Sequence, residues 1–229
     1  MSEILREYQK ILDLAEDYIR SGYRRLDRTP ASKESFKSGK NSRESRLLEL
    51  RREIDSCKRC ALWEGRTNVV TGEGVLDPLV MVIGEGPGEY EDKTARPFVG
   101  KAGQYLDKWL KAIGLSREKN CFIGNIVKCR PPGNRDPLPG ECESCLPFLL
   151  RQIELIKPKV ILTAGRISSR ILTGEELGMG KLRGKVYNFR GIPLIPTYHP
   201  SAVLRNSELR RPVWDDLKRL KSLLENHVS

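Results

Sequence analysis

At 229 residues the chain is long enough for one domain of ordinary size with length to spare for an appended arm. Its 41 Lys and Arg against 30 Asp and Glu leave a formal charge of +11, which favours a polyanionic partner over a cationic one. No run of about 18 apolar residues occurs, and the start MSEILREYQK lacks the apolar stretch of a signal peptide, so neither a membrane span nor secretion is expected. A soluble, cytoplasmic protein is the expectation, and in that reducing setting its 6 cysteines point to metal binding, catalysis or burial instead of disulfides.

In chain order, Ile4, Tyr8, Ile11, Leu12, Ala15 and Ile19 recur at helical spacing and predict an amphipathic helix over about Ile4–Arg20. Ser21–Ser45 is poor in aliphatic residues and carries Arg24, Arg25, Arg28, Lys33, Lys37, Lys40 and Arg43. It reads as a flexible basic linker, either following the phosphates of a nucleic acid or serving as a solvated tether. Residues 1–45 are thus expected to form an extension and 46–229 the folded domain. That domain opens with a helix through Leu47, Leu48, Leu50 and Ile54.

Short apolar runs then predict strands at Leu79–Ile83, Phe122–Val127, Val160–Thr163 and Pro193–Thr197. Helical patterns lie between them at Lys101–Ile113, Glu141–Ile156 and Arg166–Leu172, and a last one covers Pro212–Leu224. Strands alternating with helices imply parallel βαβ units and an α/β fold, a three-layer α/β/α sandwich.

Three constellations carry chemistry. Directly after the first strand comes Gly84-Glu85-Gly86-Pro87-Gly88-Glu89-Tyr90-Glu91-Asp92, followed by Arg96-Pro97-Phe98-Val99-Gly100-Lys101-Ala102-Gly103. The glycines let backbone amides approach a ligand and Pro87 stiffens the turn, but the spacing is neither that of a P-loop nor of a dinucleotide fingerprint. Phe98 supplies a flat face for stacking a nucleobase, although a core phenylalanine would look the same in isolation. After the fourth strand comes Tyr198-His199-Pro200-Ser201-Ala202-Val203-Leu204-Arg205-Asn206, whose His199 is one of 2 histidines, with His227 near the C-terminal end. Glu85, Asn125 and His199 all fall at or near the carboxyl ends of strands, where parallel sheets bind ligands.

The cysteines form the third set: Cys57 and Cys60 as C-x-x-C, then Cys129, Cys142 and Cys145, with Cys121 opening a strand as a small buried hydrophobe. Four thiolates hold zinc or an iron–sulfur cluster, and spacing does not choose between them. Pairing with Cys142 and Cys145 gives a zinc-like double C-x-x-C; pairing with Cys129 and Cys145 gives a less regular set.

Taken together, G-E-G-P-G-E-x-E-D, R-P-F-V-G-K-A-G, N-I-V-K-C-R-P-P-G-N-R and Y-H-P-S-x-x-L-R-N resemble the family-four uracil-DNA glycosylases of bacteria and archaea, from about Ser56 to Leu224. The resemblance implies a central four-stranded parallel sheet and a [4Fe-4S] cluster held by Cys57, Cys60, Cys129 and Cys145, with Cys142 as an extra cysteine. It implies a uracil pocket of Glu85, Gly86, Pro87, Phe98, Asn125 and His199, and an activity that flips uracil from DNA and hydrolyses its N-glycosidic bond. An amide at Asn125 accepts from uracil N3–H and donates to O4, whereas cytosine presents the opposite pattern. His199, donating to uracil O2 where charge develops, is the expected catalytic group, with Glu85 positioning water in a lesser role. Better-studied relatives place an aspartate where this chain has Gly86, so a dissociative route is expected here. Leu204 and Arg205 are expected to wedge and brace the duplex, and Lys101, Arg130, Arg135, Lys181, Arg183 and Lys185 to hold phosphates. A monomer is expected. The competing readings are a noncatalytic iron–sulfur DNA-binding module and a glycosylase of the same fold for another damaged base.

Overall fold

The computed structural model describes residues 42–228, so the predicted helix at Ile4–Arg20 and nearly all of the basic linker lie outside the described residues. Helix α1 (Arg43–Asp55) starts three residues before the predicted boundary at Arg46, because Ser42 caps it by accepting from Ser45 N at 3.2 Å. Arg43 ion-pairs with Asp77, and Leu47, Leu50 and Ile54 form the buried stripe. There follow α2 (Leu62–Gly65), β1 (Glu73–Gly74), β2 (Val80–Gly84), α3 (Glu89–Thr94), α4 (Lys101–Ala112) and β3 (Cys121–Asn125). The second half comprises α5 (Pro139–Ile156), β4 (Val160–Ala164), α6 (Arg166–Thr173), α7 (Met179–Leu182), β5 (Tyr187–Phe189), β6 (Ile192–Thr197), α8 (Pro200–Arg205) and α9 (Arg210–Val228).

The sheet runs β1-β3-β2-β4-β6-β5. Its central strands β3, β2, β4 and β6 are parallel, as expected, and antiparallel β1 and β5 extend it to six. These edges escape sequence reading because two and three residues are too few to show alternation. β3 ends at Asn125, short of the predicted Val127, where its ladder with β2 closes at the Gly84–Asn125 pair. Ile126 N and Val127 N then donate to Gly84 O and Glu85 O, both at 3.0 Å, so the two strand exits stay side by side.

Alternating side chains feed two cores, one on each face of the sheet. Met81 and Ile83 pack with α1, α5 and α6 through Leu50, Leu149 and Ile171; Val80 and Val82 pack with α4 and α9 through Leu110 and Leu217. Each such side chain, fully buried, stabilises the fold by roughly 1.5–3 kcal/mol. The result is the expected three-layer sandwich, with all central strand exits at one edge.

Candidate active site

A crevice of about 560 Å³ opens at those exits. It is lined by Glu85, Gly86 and Pro87 after β2, Asn125 at the end of β3, Gly165 and Arg166 after β4, and His199 after β6, with Phe98 from the loop before α4. All six residues of the predicted uracil pocket therefore meet in one place.

Phe98 is held in an unusual backbone conformation, with φ at +53°. Such a conformation costs on the order of 1–3 kcal/mol in a non-glycine residue and persists only where its surroundings impose it. Here buried Arg117 donates through Nη1 to Pro97 O and through Nη2 to Phe98 O, both at 2.9 Å, while Asp107 pairs with the same guanidinium at 2.8 Å. From the other side, Glu91 Oε1 accepts from Val99 N at 2.9 Å and Gly100 N at 2.8 Å. The Phe98 ring is thereby set 5.7 Å from that of His199, tilted by 34°.

Asn125 is buried, and its Oδ1 has no hydrogen-bond partner among the described residues. Leaving a buried acceptor unpaired costs roughly 1–3 kcal/mol, so the site is built to receive a donor. A Cβ on Gly84 would fall 2.5 Å from both this oxygen and Phe98 Cζ, which is why only glycine serves there.

His199 caps α8, its Nδ1 accepting from Ser201 N at 3.2 Å and lying 2.7 Å from Ser201 Oγ. A backbone N–H only donates, so Nδ1 carries no proton and Nε2 carries it. Burial, followed by the nearby Arg205, pushes the imidazole down to about 4, making it a neutral donor at neutral pH. Gly165, at φ +105°, packs against this ring, and a Cβ there would lie 3.1 Å from His199 Cβ. Glu85 moves the other way: burial first, then Asp136, raise its carboxyl to about 7 against the opposing pull of Arg166.

At the rim stand Lys101 and Arg205, both lining the crevice, while Leu204 on α8 is exposed beside them. The other predicted phosphate contacts divide. Arg183 is removed from that set: its side chain donates to buried Asp216 at 2.9 and 2.8 Å and to Pro212 O, so it ties α7 to α9. Arg135 is paired with Glu141 at 2.7 Å and Arg130 with Asn134 at 2.8 Å, and neither Lys181 nor Lys185 lines the crevice. Sequence reading missed Glu91 and Ser201, although both stood inside quoted motifs, because Glu91 accepts from backbone amides and Ser201 meets the His199 ring, pairings that composition does not reveal. It also missed the Asp136–Arg166 pair facing Glu85.

A second recess lies beyond the Asn125 exit. Cys57, Cys60, Cys129 and Cys145 line it together with Ile54, Phe148, Arg66 and Lys128, whereas Cys142 does not. The residues thus bring together the irregular thiol set and not the double C-x-x-C. Arg66 Nη1 donates to Cys129 Sγ at 3.1 Å, and burial pushes the Cys145 thiol up to about 12 with the Lys128 charge opposing it. Four thiols around an apolar recess with the basic side chains of Arg59, Arg66 and Lys128 beside them fit an anionic iron–sulfur cluster in both donor chemistry and charge. Among the described residues no group of three or more His, Cys, Asp or Glu side chains is arranged to hold one metal ion.

The uracil DNA glycosylase superfamily matches this chain over residues 71–218. A type-4 uracil-DNA glycosylase of Thermotoga maritima is 47% identical over 184 residues, covering 78% of this chain and 95% of the relative. One from Sulfurisphaera tokodaii is 46% identical over 186 residues, covering 77% and 84%. A type-5 uracil-DNA glycosylase of Pyrobaculum aerophilum is more distant, at 30% over 179 residues, with 71% and 78% covered. With its crevice at the strand exits and such likeness over most of its length, the chain belongs to the uracil-DNA glycosylase superfamily and, within it, to the type-4 enzymes.

Proposed function

We propose that the crevice takes a uracil flipped out of DNA, stacks it on Phe98, reads its edge with Asn125 and stabilises its departure with His199. The observation that carries this reading is the buried, unpartnered Asn125 Oδ1 in a crevice shared with Phe98 and His199. Uracil N3–H supplies the donor that oxygen lacks, and cytosine, with a bare N3, leaves it unpaired. As the C1′–N1 bond breaks, its electron pair passes to the base and charge spreads to O2, where the neutral Nε2–H of His199 donates. The sugar cation left behind is captured by water, whose lost proton is balanced by the one the uracil anion takes up from solvent; the Glu85 carboxylate stands at the crevice to orient that water and to favour the positive charge. Gly86 and Pro87 bring the backbone close to the base. No aspartate occupies the Gly86 position, so the route is dissociative and the residues act mainly on the leaving group.

In this reading Cys57, Cys60, Cys129 and Cys145 hold a [4Fe-4S] cluster, which when bound supplies a cross-link between the α1–α2 loop, the β3 exit and α5. Hydrolysis transfers no electrons, so that role is structural. Lys101 and Arg205 hold phosphates at the rim and Leu204 wedges into the stack. Residues 1–41 add an appended basic segment to the domain, which the Ser42 cap of α1 opens, and the protein acts as a monomer in the cytoplasm. None of the described helices is long and apolar enough to cross a membrane.

The test is His199→Ala in single-turnover kinetics on uracil-containing DNA. The rate is expected to fall on the order of 10²-fold, with affinity much less affected, as for a donor that strengthens in the transition state. An unchanged rate removes His199 from the mechanism.

A further inference from the structure

Lys128 is the one lysine buried among the described residues. Its Nζ donates at 2.6 Å to the carbonyl oxygen of Asn125, three residues back, closing the turn from β3 towards Cys129. Its side chain also lines the thiol recess. It does not line the crevice where the base would sit. The turn it closes is fastened at other points too, by Ile126 N to Gly84 O and by Val70 N to Lys128 O at 2.8 Å.

No carboxylate among the described residues forms an ion pair with Lys128. A buried amino group is costly unless it is hydrogen-bonded, so an enclosed lysine at this place is committed to the acceptor it has found. The Asn125 carbonyl supplies the acceptor on one side, and on the other the same side chain borders the recess of Cys57, Cys60, Cys129 and Cys145. The same asparagine presents its unpartnered Oδ1 to the crevice.

From this we infer that Lys128 is a positioning residue that joins the thiol recess to the base reader, fixing the Asn125 main chain so that its amide meets the edge of the flipped base. The inference rests on the reading of Asn125 given above. Lys128 acts through Asn125 and not on the substrate. One side chain thus borders the recess and fastens the main chain of the reader.

A double-mutant cycle tests this, using the full-length, iron-loaded protein with iron content and folding checked for each variant. Two quantities are measured: the single-turnover rate on uracil-containing DNA, and the Kd for the same DNA carrying a non-hydrolysable deoxyuridine analogue, against undamaged DNA as control. Lys128→Met keeps the shape and removes the donor. It is expected to lower the rate about tenfold and to weaken analogue binding, leaving binding to undamaged DNA unchanged. In an Asn125→Ala background both losses are expected to shrink to about twofold or less, since the group through which Lys128 acts is gone. Equal losses in the two backgrounds, or none in the first, overturn the inference. If Lys128→Met does not fold or does not retain iron, Lys128→Leu, which likewise removes the donor, is put through the same cycle and judged by the same criterion. Should Asn125→Ala alone leave rate and analogue binding intact, the base-reader reading itself fails; if it impairs both while the Lys128 effect is additive, only the role of Lys128 falls.

Discussion

Glu85 and His199 share the crevice, yet burial drives their protonation in opposite chemical senses, because it disfavours the charged form of each. Both are consequently neutral in mildly acidic solution, between about 4 for the imidazole and about 7 for the carboxyl. In the proposed route the carboxylate is the useful form of Glu85, since it favours a developing positive charge on the sugar. The single-turnover rate is therefore expected to rise as pH passes through about 7, and Glu85→Gln to lower the plateau and flatten that rise. A pH–rate profile of the two proteins is the check. Stability follows the same sign argument: the folded carboxyl binds its proton more tightly than the unfolded one. Its contribution is present below the ordinary carboxyl value of 4.5 and lost as pH rises through about 7. Glu85→Gln should accordingly raise the melting temperature at pH 8 relative to the parent.

At the scale of elements, α5 carries two cysteines a single turn apart, and the helix decides between them. Cys145 lines the recess with Cys57, Cys60 and Cys129, while Cys142 is buried elsewhere in the same core. Cys129→Ser is therefore expected to lose most of the bound iron and the broad visible absorption of thiolate-to-iron charge transfer, whereas Cys142→Ser keeps both. Iron analysis and an absorption spectrum of each purified variant are sufficient; the reverse pattern would restore the double C-x-x-C. The β3 exit matters as much as the helix. It passes directly from Asn125 to Cys129 through a turn pinned to β2, so the crevice and the recess share one short stretch of chain.

On the scale of the whole molecule, the excess of basic residues is a property of the entire sequence, and the extension contributes Arg24, Arg25, Arg28, Lys33, Lys37 and Lys40 to it. Cations that neutralise phosphates release counterions, so affinity for DNA falls with salt in proportion to their number. Removing residues 1–41 is expected to leave the single-turnover rate at saturation within about twofold, while weakening DNA binding and flattening its dependence on salt. The cut spares Ser42 and Arg43, which belong to the cap and ion pair of α1. Binding isotherms at several salt concentrations measure the slope, and an unchanged slope makes the extension a tether only.

Much of the fold and the centre of the site could be read from the chain because they rest on local rules. Apolar runs marked the four central strands, helical periodicity marked the layers, and the residues just after those strands necessarily gather at one edge of a parallel sheet. That geometry alone brings Glu85, Asn125 and His199 together. What the tertiary structure decided were pairings between segments far apart in sequence. Arg183, read as a phosphate contact, is taken up by Asp216, 33 residues away. Arg117, from the turn before β3, and Glu91, from α3, impose the backbone of Phe98, and nothing in the local pattern of Phe98 announces it. The choice of Cys145 over Cys142 depends on which side of α5 meets the β3 exit, and the enclosure of Lys128 depends on that same meeting. Sequence periodicity determines which face of an element is apolar; only packing determines which charged or sulfur-bearing side chain ends up inside, and beside what.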